Sequence, residues 1–299
     1  MTELITPVAP APPGGPAEPV PAAERRDRGL VRRLLRPGLV VAIAVVSVAL
    51  LWAFVPGWFT GHDPITGVPA QNLRPPGADH WFGTDHLGRD LFARVVHGSA
   101  LSLQAALIAV LIGLLAGSTI GLLSGFAGGA VDDVLMRVVD VLLAIPGLLL
   151  SLAVVTVLGF GTVNVAVAVG VASVATFARV MRGEVLRVRQ ATYIEAAFAS
   201  GVRWTGVLRR HVLPNSAGPV VVLAALEFGQ AILAVSALSF LGFGAAPPAP
   251  EWGSLISEGR NHLATSWWLT TLPGLVVIAV VLATSRISRA LGGDGSTTW

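Results

Sequence analysis

The chain has 299 residues, 54% of them hydrophobic and only 12% charged, and its mean hydropathy is +0.73. A soluble domain carries about a quarter charged residues, so this balance excludes an ordinary soluble enzyme and points to a membrane protein. The formal net charge is +3; all twenty basic residues are arginine, and neither lysine nor cysteine occurs.

The missing residues narrow the function further. A Walker-type phosphate-binding loop needs a lysine that reaches the β and γ phosphates, and no position here supplies one. ATP hydrolysis by this chain is therefore not expected. Without cysteine there is no disulfide framework, thiolate metal site or cysteine-borne lipid anchor. A pI near 10.8 would suggest a nucleic-acid partner in a soluble protein. Here the arginines cluster beside apolar runs, as they do at cytoplasmic ends of membrane helices, so membrane lipid and no nucleic acid is the expected partner.

Residues 1–23 hold seven prolines among Ala, Gly and Glu, a composition too poor in apolar area to offset chain entropy. Arg25, Arg26, Arg28, Arg32, Arg33 and Arg36 follow. Residues 1–37 thus read as a disordered, then arginine-rich, tail. The apolar run behind it lacks the position and cleavage site of a signal peptide and reads as an uncleaved span. Six runs reach the roughly 17 to 25 residues that cross a bilayer as a helix: 39–56, 99–123, 136–158, 161–180, 217–243 and 267–285. The third and fourth are separated only by Leu158, Gly159, Phe160 and Gly161, which predicts a tight helical hairpin. The chain divides into the tail, a first span with its outer segment (38–98), a five-span unit (99–290) and a C-terminal tail (291–299).

Six spans place both termini on one side. With the N-terminus inside, sixteen arginines fall on inner segments and four, Arg74, Arg89, Arg94 and Arg260, on outer ones. The positive-inside rule selects that topology, with both ends in the cytoplasm of a bacterial cell membrane. The outer segments 57–98 and 244–266 carry Trp58, Trp81, Trp252, Trp267 and Trp268, which read as interfacial anchors.

The segment 177–214 is too polar for a span and too patterned for a spacer. Ile194, Ala197, Phe198 and Gly201 share one face by helical spacing. Gly201 suits a helix end, where a left-handed residue is commonly needed. A second amphipathic stretch presents Trp204, Val207, Leu208 and Val212, with Arg203, Arg209 and Arg210 on its polar side. Pro214 is expected to stop it before the fifth span.

The order Glu195-Ala196-Ala197, Gly201, Leu213-Pro214 resembles the EAA loop of importer-type ABC permeases. The resemblance extends to Phe82-Gly83-Thr84-Asp85-His86-Leu87-Gly88-Arg89-Asp90 with Arg94, to Asp132-Asp133 with Met136-Arg137, Asp140 and Ile145-Pro146, and to 238–244 followed by Pro250-Glu251-Trp252-Gly253. These segments, in order over about residues 80–275, are similar to the second permease of dipeptide, oligopeptide and nickel importers. The resemblance implies an all-α membrane fold of six transmembrane helices, with residues 183–215 forming the loop that docks on an ATPase. It assigns ATPase coupling to Glu195, Ala196, Ala197, Gly201, Arg203, Leu213 and Pro214. It further implies a heterodimer with a second permease, two ATPase subunits or domains that bind ATP and Mg, and an extracytoplasmic solute-binding protein. Three features depart from the family: His211 stands where isoleucine is common, Val235 where a glutamate is common, and 285–299 lacks the usual ending.

Glu227 is the acidic residue deep in a span, where an ionisable group costs at least about 2.5 kcal/mol on insertion scales. With Gln230 it is a candidate for the translocation path, meeting a peptide's amino group; a structural hydrogen bond is the competing reading. Asp85, Arg89 and Asp90 read as a structural cluster fixing the outer loop, and Arg137 with Asp140 as a local i, i+3 ion pair. No nucleophile-and-base constellation occurs, and the six histidines have no two-ligand spacing on one helix, so neither a catalytic residue, a bound cofactor nor a metal is expected. The sequence leaves nickel or another small solute open as cargo. An ion-driven secondary transporter is the reading from a different class, poorly supported by a lone Glu227.

Overall fold

The structure is a computed structural model that describes residues 37–292; the N-terminal tail and the last seven residues lie outside the described residues. Every regular element described is helical: α1 (Pro37–Phe54), α2 (Leu91–Ala127), α3 (Gly129–Ala144), α4 (Gly147–Leu158), α5 (Thr162–Arg189), α6 (Thr192–Ala199), α7 (Trp204–Val207), α8 (Leu213–Phe240), α9 (Trp252–Gly259) and α10 (Trp268–Gly292). Five stretches are long and apolar enough to cross a membrane: α1, α2, α5, the run from Trp204 to Phe240, and α10. The chain is a multi-pass membrane protein.

The remaining expected span, the third at 136–158, is not one straight helix. It is the pair α3 and α4, bent by 96° at Ile145 and Pro146. Proline has no N–H and drives the residue before it out of the helical region; Ile145 accordingly sits at φ −92, ψ 129. The expected hairpin between the third and fourth runs is present: α4 ends at Leu158 and α5 begins at Thr162. The Asn164 side chain ties the turn by donating to Leu158 O at 3.0 Å and Phe160 O at 3.1 Å.

The tightest pairing in the bundle joins α2 to α5. Gly113, Gly117, Gly121 and Gly125 recur every four residues along one face of α2, directly over α5. A Cβ on Gly117 would stand 2.5 Å from Val174 O, and one on Gly121 2.3 Å from Ala178 O. Between membrane helices there is little hydrophobic gain from association, so small residues that let backbones approach supply the van der Waals contact instead. The stripe continues toward the start of α2 through Ala109, whose carbonyl lies 2.9 Å from where a Cβ on Gly170 would be.

Other sequence expectations change on contact with the fold. Pro214 does not stop the stretch before the fifth span. The chain stays helical from Trp204 to Phe240 through a π-helical turn at Leu208–Val212, where the Leu213 N–H donates to Leu208 O five residues back. Proline inside a helix lacks the N–H that would bond back along the ladder, and the π-turn directly before Pro214 is where that ladder is displaced. Trp252 and Trp268 are buried rather than interfacial, while Trp58, Trp81 and Trp267 are exposed. Asp140 pairs with Arg179 across the α3–α5 contact at 2.5 Å, not with Arg137 one turn away.

Candidate functional site

Three places gather the residues singled out by the sequence: the loop between α5 and α8, a cavity among α4, α5 and α8, and an ion cluster beneath α9.

In the loop, Ile194 is fully buried and Ala197 packs against the main core, whereas Phe198 and Gly201 are exposed. The apolar face expected of α6 is therefore narrower than its spacing suggested. Two more anchors follow from the π-turn. An i to i+5 closure puts residues five apart on the same side, and Val207 and Val212 are both fully buried. Trp204 lies against Phe126 of α2 with ring centroids 5.0 Å apart. Gly201 ends α6 at φ +77, with its N–H on Phe198 O at 2.9 Å and the Val202 N–H on Ala197 O at 3.1 Å. That is a Schellman ending, and it needs a residue without a Cβ penalty at the left-handed position. The result is a short helix held by Ile194 that turns Glu195, Ala196, Phe198, Ala199 and Gly201 outward, with Arg203, Leu213 and Pro214 also exposed nearby. Glu195 makes no side-chain hydrogen bond or ion pair among the described residues.

Arg182 of α5 ties this end of the bundle together. Its guanidinium donates to both carboxylate oxygens of Asp132 on α3, each at 2.6 Å, and the Ser124 hydroxyl of α2 donates to the same carboxylate. Three helices meet in one charge-assisted bidentate pair.

The cavity, about 200 Å³, is lined by Gly147, Leu148 and Ser151 at the start of α4, by Ser173 and Thr176 of α5, and by Glu227 and Gln230 of α8. Glu227 and Gln230 thus share one hollow, beside the break between α3 and α4. Val235 is fully buried in the core; a glutamate at that position would be enclosed by this chain's own packing. Burying an unpaired carboxylate is costly, whereas Glu227 opens on the cavity.

At the end of the bundle opposite the loop between α5 and α8, Arg89 Nε donates to Asp85 Oδ2 at 2.6 Å and Arg89 Nη2 to Glu258 at 3.1 Å. Fully buried Arg94 donates to Glu258 Oε1 at 3.0 Å and stands 3.4 Å from Asp85. Asp90 caps α2 by accepting from the Ala93 N–H at 2.6 Å and is bonded to His80 at 2.8 Å. Asp85 and Arg89 therefore belong to one four-membered network, with Arg94 and Glu258 as partners, while Asp90 stands beside it as a cap. Asp85, His86 and Glu258 lie close enough for a shared cation, but the two guanidinium groups already engage both carboxylates. Nearby, Glu251 is fully buried at the start of α9, accepting from the Gly253 and Ser254 N–H groups and from the Ser102 hydroxyl. Burial pushes its carboxyl above the ordinary glutamate range, opposed by those donors. Trp252 Nε1 donates to Val95 O at 3.0 Å, so α9 is pinned onto α2.

Glu258, Glu251 and the glycine stripe carry no role in the sequence reading. The stripe's four-residue spacing was a visible signal; Arg89 and Arg94, which pair with Glu258, and Ser102, which donates to Glu251, lie more than a hundred residues away.

Apolar helices around a lateral cavity, with a short exposed helix pair at one end, define a polytopic membrane transport subunit. Solved structures share the architecture. The inward-facing methionine ABC transporter MetNI, in its native crystal form, superposes with a TM-score of 0.55 at 20% identity, covering 67% of this chain and 97% of that one. An amino acid ABC transporter with histidines gives 0.52 at 16% identity, covering 66% and 92%. The chain belongs to the family of binding-protein-dependent transport system inner membrane components, which matches residues 117–293. Among its relatives, a glutathione transport system permease protein of Pectobacterium atrosepticum is 40% identical over 88% of this chain and 87% of its own length. A dipeptide transport system permease protein of Alkalihalophilus pseudofirmus is 38% identical over 86% and 83%. The protein is thus a permease of an ABC importer, a class that works with ATPase, permease and binding-protein partners.

Proposed function

We propose that this chain forms half of the transmembrane path for dipeptides or short oligopeptides, glutathione included, in a bacterial cytoplasmic membrane. The observation that carries the coupling half of this reading is the exposed Glu195–Gly201 surface. A helix anchored by Ile194, Val207 and Val212 yet open on its other face is suited to docking in a cleft of a separate ATPase subunit. Two such subunits, with ATP and Mg bound there and not here, close on the loop. Glu195, Ala196, Ala197, Gly201, Arg203, Leu213 and Pro214 form or border the contact. A second permease completes the path, and an extracytoplasmic binding protein delivers cargo. This chain performs no chemistry of its own; residues 99–290 are its transport unit, with both termini in the cytoplasm.

Arg182 and Asp132 support the lever, since they join the docking end of α5 to α2 and α3. The cavity with Glu227 and Gln230 supports the path. A carboxylate beside hydroxyls in a partly dry hollow favours a cationic amino group, the feature that peptides share. The relatives' names support peptides as the cargo class. Co-purification tests the reading together with uptake: a tagged chain should retain an ATPase and a second permease, and Glu227→Gln should slow peptide uptake while leaving that assembly intact. A chain that purifies alone and transports along an ion gradient without ATP would overturn it.

A further inference from the structure

A second hollow lies outside both the path and the docking loop. It encloses about 210 Å³ between the end of α1 and the start of α2, lined by Phe59, His62, Asp79, Trp81, Asp90 and Phe92 among others. Its walls are aromatic. Trp81 and Phe92 have ring centroids 5.1 Å apart, Phe92 meets Trp52 edge-on at 5.8 Å, and Trp52 meets Phe59 at 6.3 Å. Two carboxylates face it. Asp90 is buried and already engaged as the cap of α2. Asp79 is exposed and has no hydrogen bond or ion pair among the described residues. Aromatic faces attract a cation through the ring quadrupole, and a carboxylate beside them adds charge-assisted hydrogen bonds to a group that carries N–H donors. The chemistry recognised is a primary ammonium.

The height of the hollow identifies the carrier of that ammonium. α1 has 18 residues, about 27 Å at 1.5 Å each, slightly short of a hydrocarbon core of about 30 Å, so its ends lie close to the core's boundaries. Its last residue, Phe54, is 81% exposed and Trp58 is 79% exposed, as side chains facing acyl chains and headgroups are. Phe59 is five residues past the end of that helix and lines the hollow. The site therefore opens at headgroup level, beside lipid. Simple interfacial anchoring accounts for Trp58, but it needs neither an unpaired carboxylate nor a cavity behind a ring that is itself 65% exposed, as Trp81 is.

We propose that this hollow binds the primary ammonium of an aminophospholipid headgroup, with Asp79 as the accepting carboxylate and Trp81, Phe92 and Phe59 as its walls. The site goes beyond the transport reading and does not depend on the cargo, so its test can fail while the transport reading stands.

The test is native mass spectrometry of the full chain, purified in detergent and offered equal amounts of phosphatidylethanolamine and phosphatidylglycerol. The wild type should retain phosphatidylethanolamine over phosphatidylglycerol by about fivefold or more. Asp79→Asn, which breaks no internal contact, and Trp81→Ala should each abolish that preference. Trp81→Phe should keep part of it, and Trp267→Ala, at another exposed ring, should keep it whole. Equal retention by the wild type, or an unchanged preference in both Asp79→Asn and Trp81→Ala, overturns the proposal. Displacement of the lipid by millimolar soluble ethanolamine would assign the site to a free amine and overturn the lipid assignment.

Discussion

Arg182 on α5 and Asp132 on α3 form two parallel bonds of 2.6 Å, and the Ser124 hydroxyl from α2 completes the carboxylate's shell. The pair sits where the glycine stripe of α2 ends, within a turn of Gly125, and one helical segment before the exposed α6. Any movement of the loop that follows α5 would therefore reach two other helices through one hydrogen-bonded junction, while the stripe above it packs α2 closely on α5.

Breaking that junction should loosen coupling more than folding. The pair is partly buried, with Arg182 34% and Asp132 15% exposed, so removing one partner costs roughly 1 to 2 kcal/mol, between an exposed pair and a fully buried one. Asp132→Asn and Arg182→Gln should each lower the melting temperature modestly, and the double variant should lose less than the sum. A double-mutant cycle on thermal unfolding in detergent reads the interaction directly. Peptide uptake should fall further than stability does; additive losses would show that the two residues act separately.

The glycine stripe makes a sharper prediction. At Gly121 an added Cβ meets the Ala178 carbonyl at 2.3 Å, and backbone cannot step aside as a flexible side chain can. Gly121→Val should separate α2 from α5, costing at least the roughly 1 to 3 kcal/mol of overpacking, and should reduce the yield of folded protein. Gly183, also helical but with open space around it, is the control. Gly183→Ala should be neutral or slightly stabilising, because alanine is the better helix former. Size-exclusion profiles and melting curves of the two variants check the contrast.

Glu251 links stability to pH. Burial raises its carboxyl above the ordinary glutamate range, so over a window starting at about pH 4.3 the folded chain holds a proton that the unfolded chain has released. This residue's contribution is present below that window and is lost as pH rises through it. Glu251→Gln removes the charge but keeps one acceptor oxygen where the carboxylate uses two, Oε1 for the Gly253 N–H and Oε2 for the Ser254 N–H. The variant should therefore show a flatter profile from pH 4 upward, melting below the wild type at acid pH, where a cap bond is lost, with the gap narrowing toward neutral pH. Glu251→Ala, which loses the cap, should be less stable by about 1 kcal/mol.

What the sequence made legible, and what it hid, divides by distance along the chain. The ending of α6 was readable because Gly201 answers a local backbone requirement. The break at Pro146 was not, since an apolar run looks continuous whatever angle it turns through, and hydropathy carries no direction. Trp252 read as an interfacial ring because its burial depends on Val95 and Ser102, about 150 residues earlier. Asp140 offered a partner one turn away in Arg137, yet Arg179 reaches it from the neighbouring helix. Glu258 carried no signal, because its meaning lies in Arg89 and Arg94 on the far side of six helices of sequence.

Gly201 separates a folding requirement from a docking one. Its φ of +77 disfavours any side chain, yet among the described residues nothing beyond its chain neighbours lies within 4 Å of where a Cβ would be. A replacement there is strained by its backbone, by roughly 1 kcal/mol for alanine and more for a β-branched residue, but meets no internal clash. Asparagine tolerates the left-handed region, so Gly201→Asn should preserve both insertion and uptake in part. Gly201→Val should still insert, because the bundle does not use this surface, while uptake falls to background and ATPase retention weakens. Parallel measurement of membrane yield, co-purified ATPase and ATP-coupled uptake distinguishes the cases. Normal uptake by Gly201→Val would mean that the exposed end of α6 faces solvent throughout the cycle, and the docking assignment of Glu195 would fall with it.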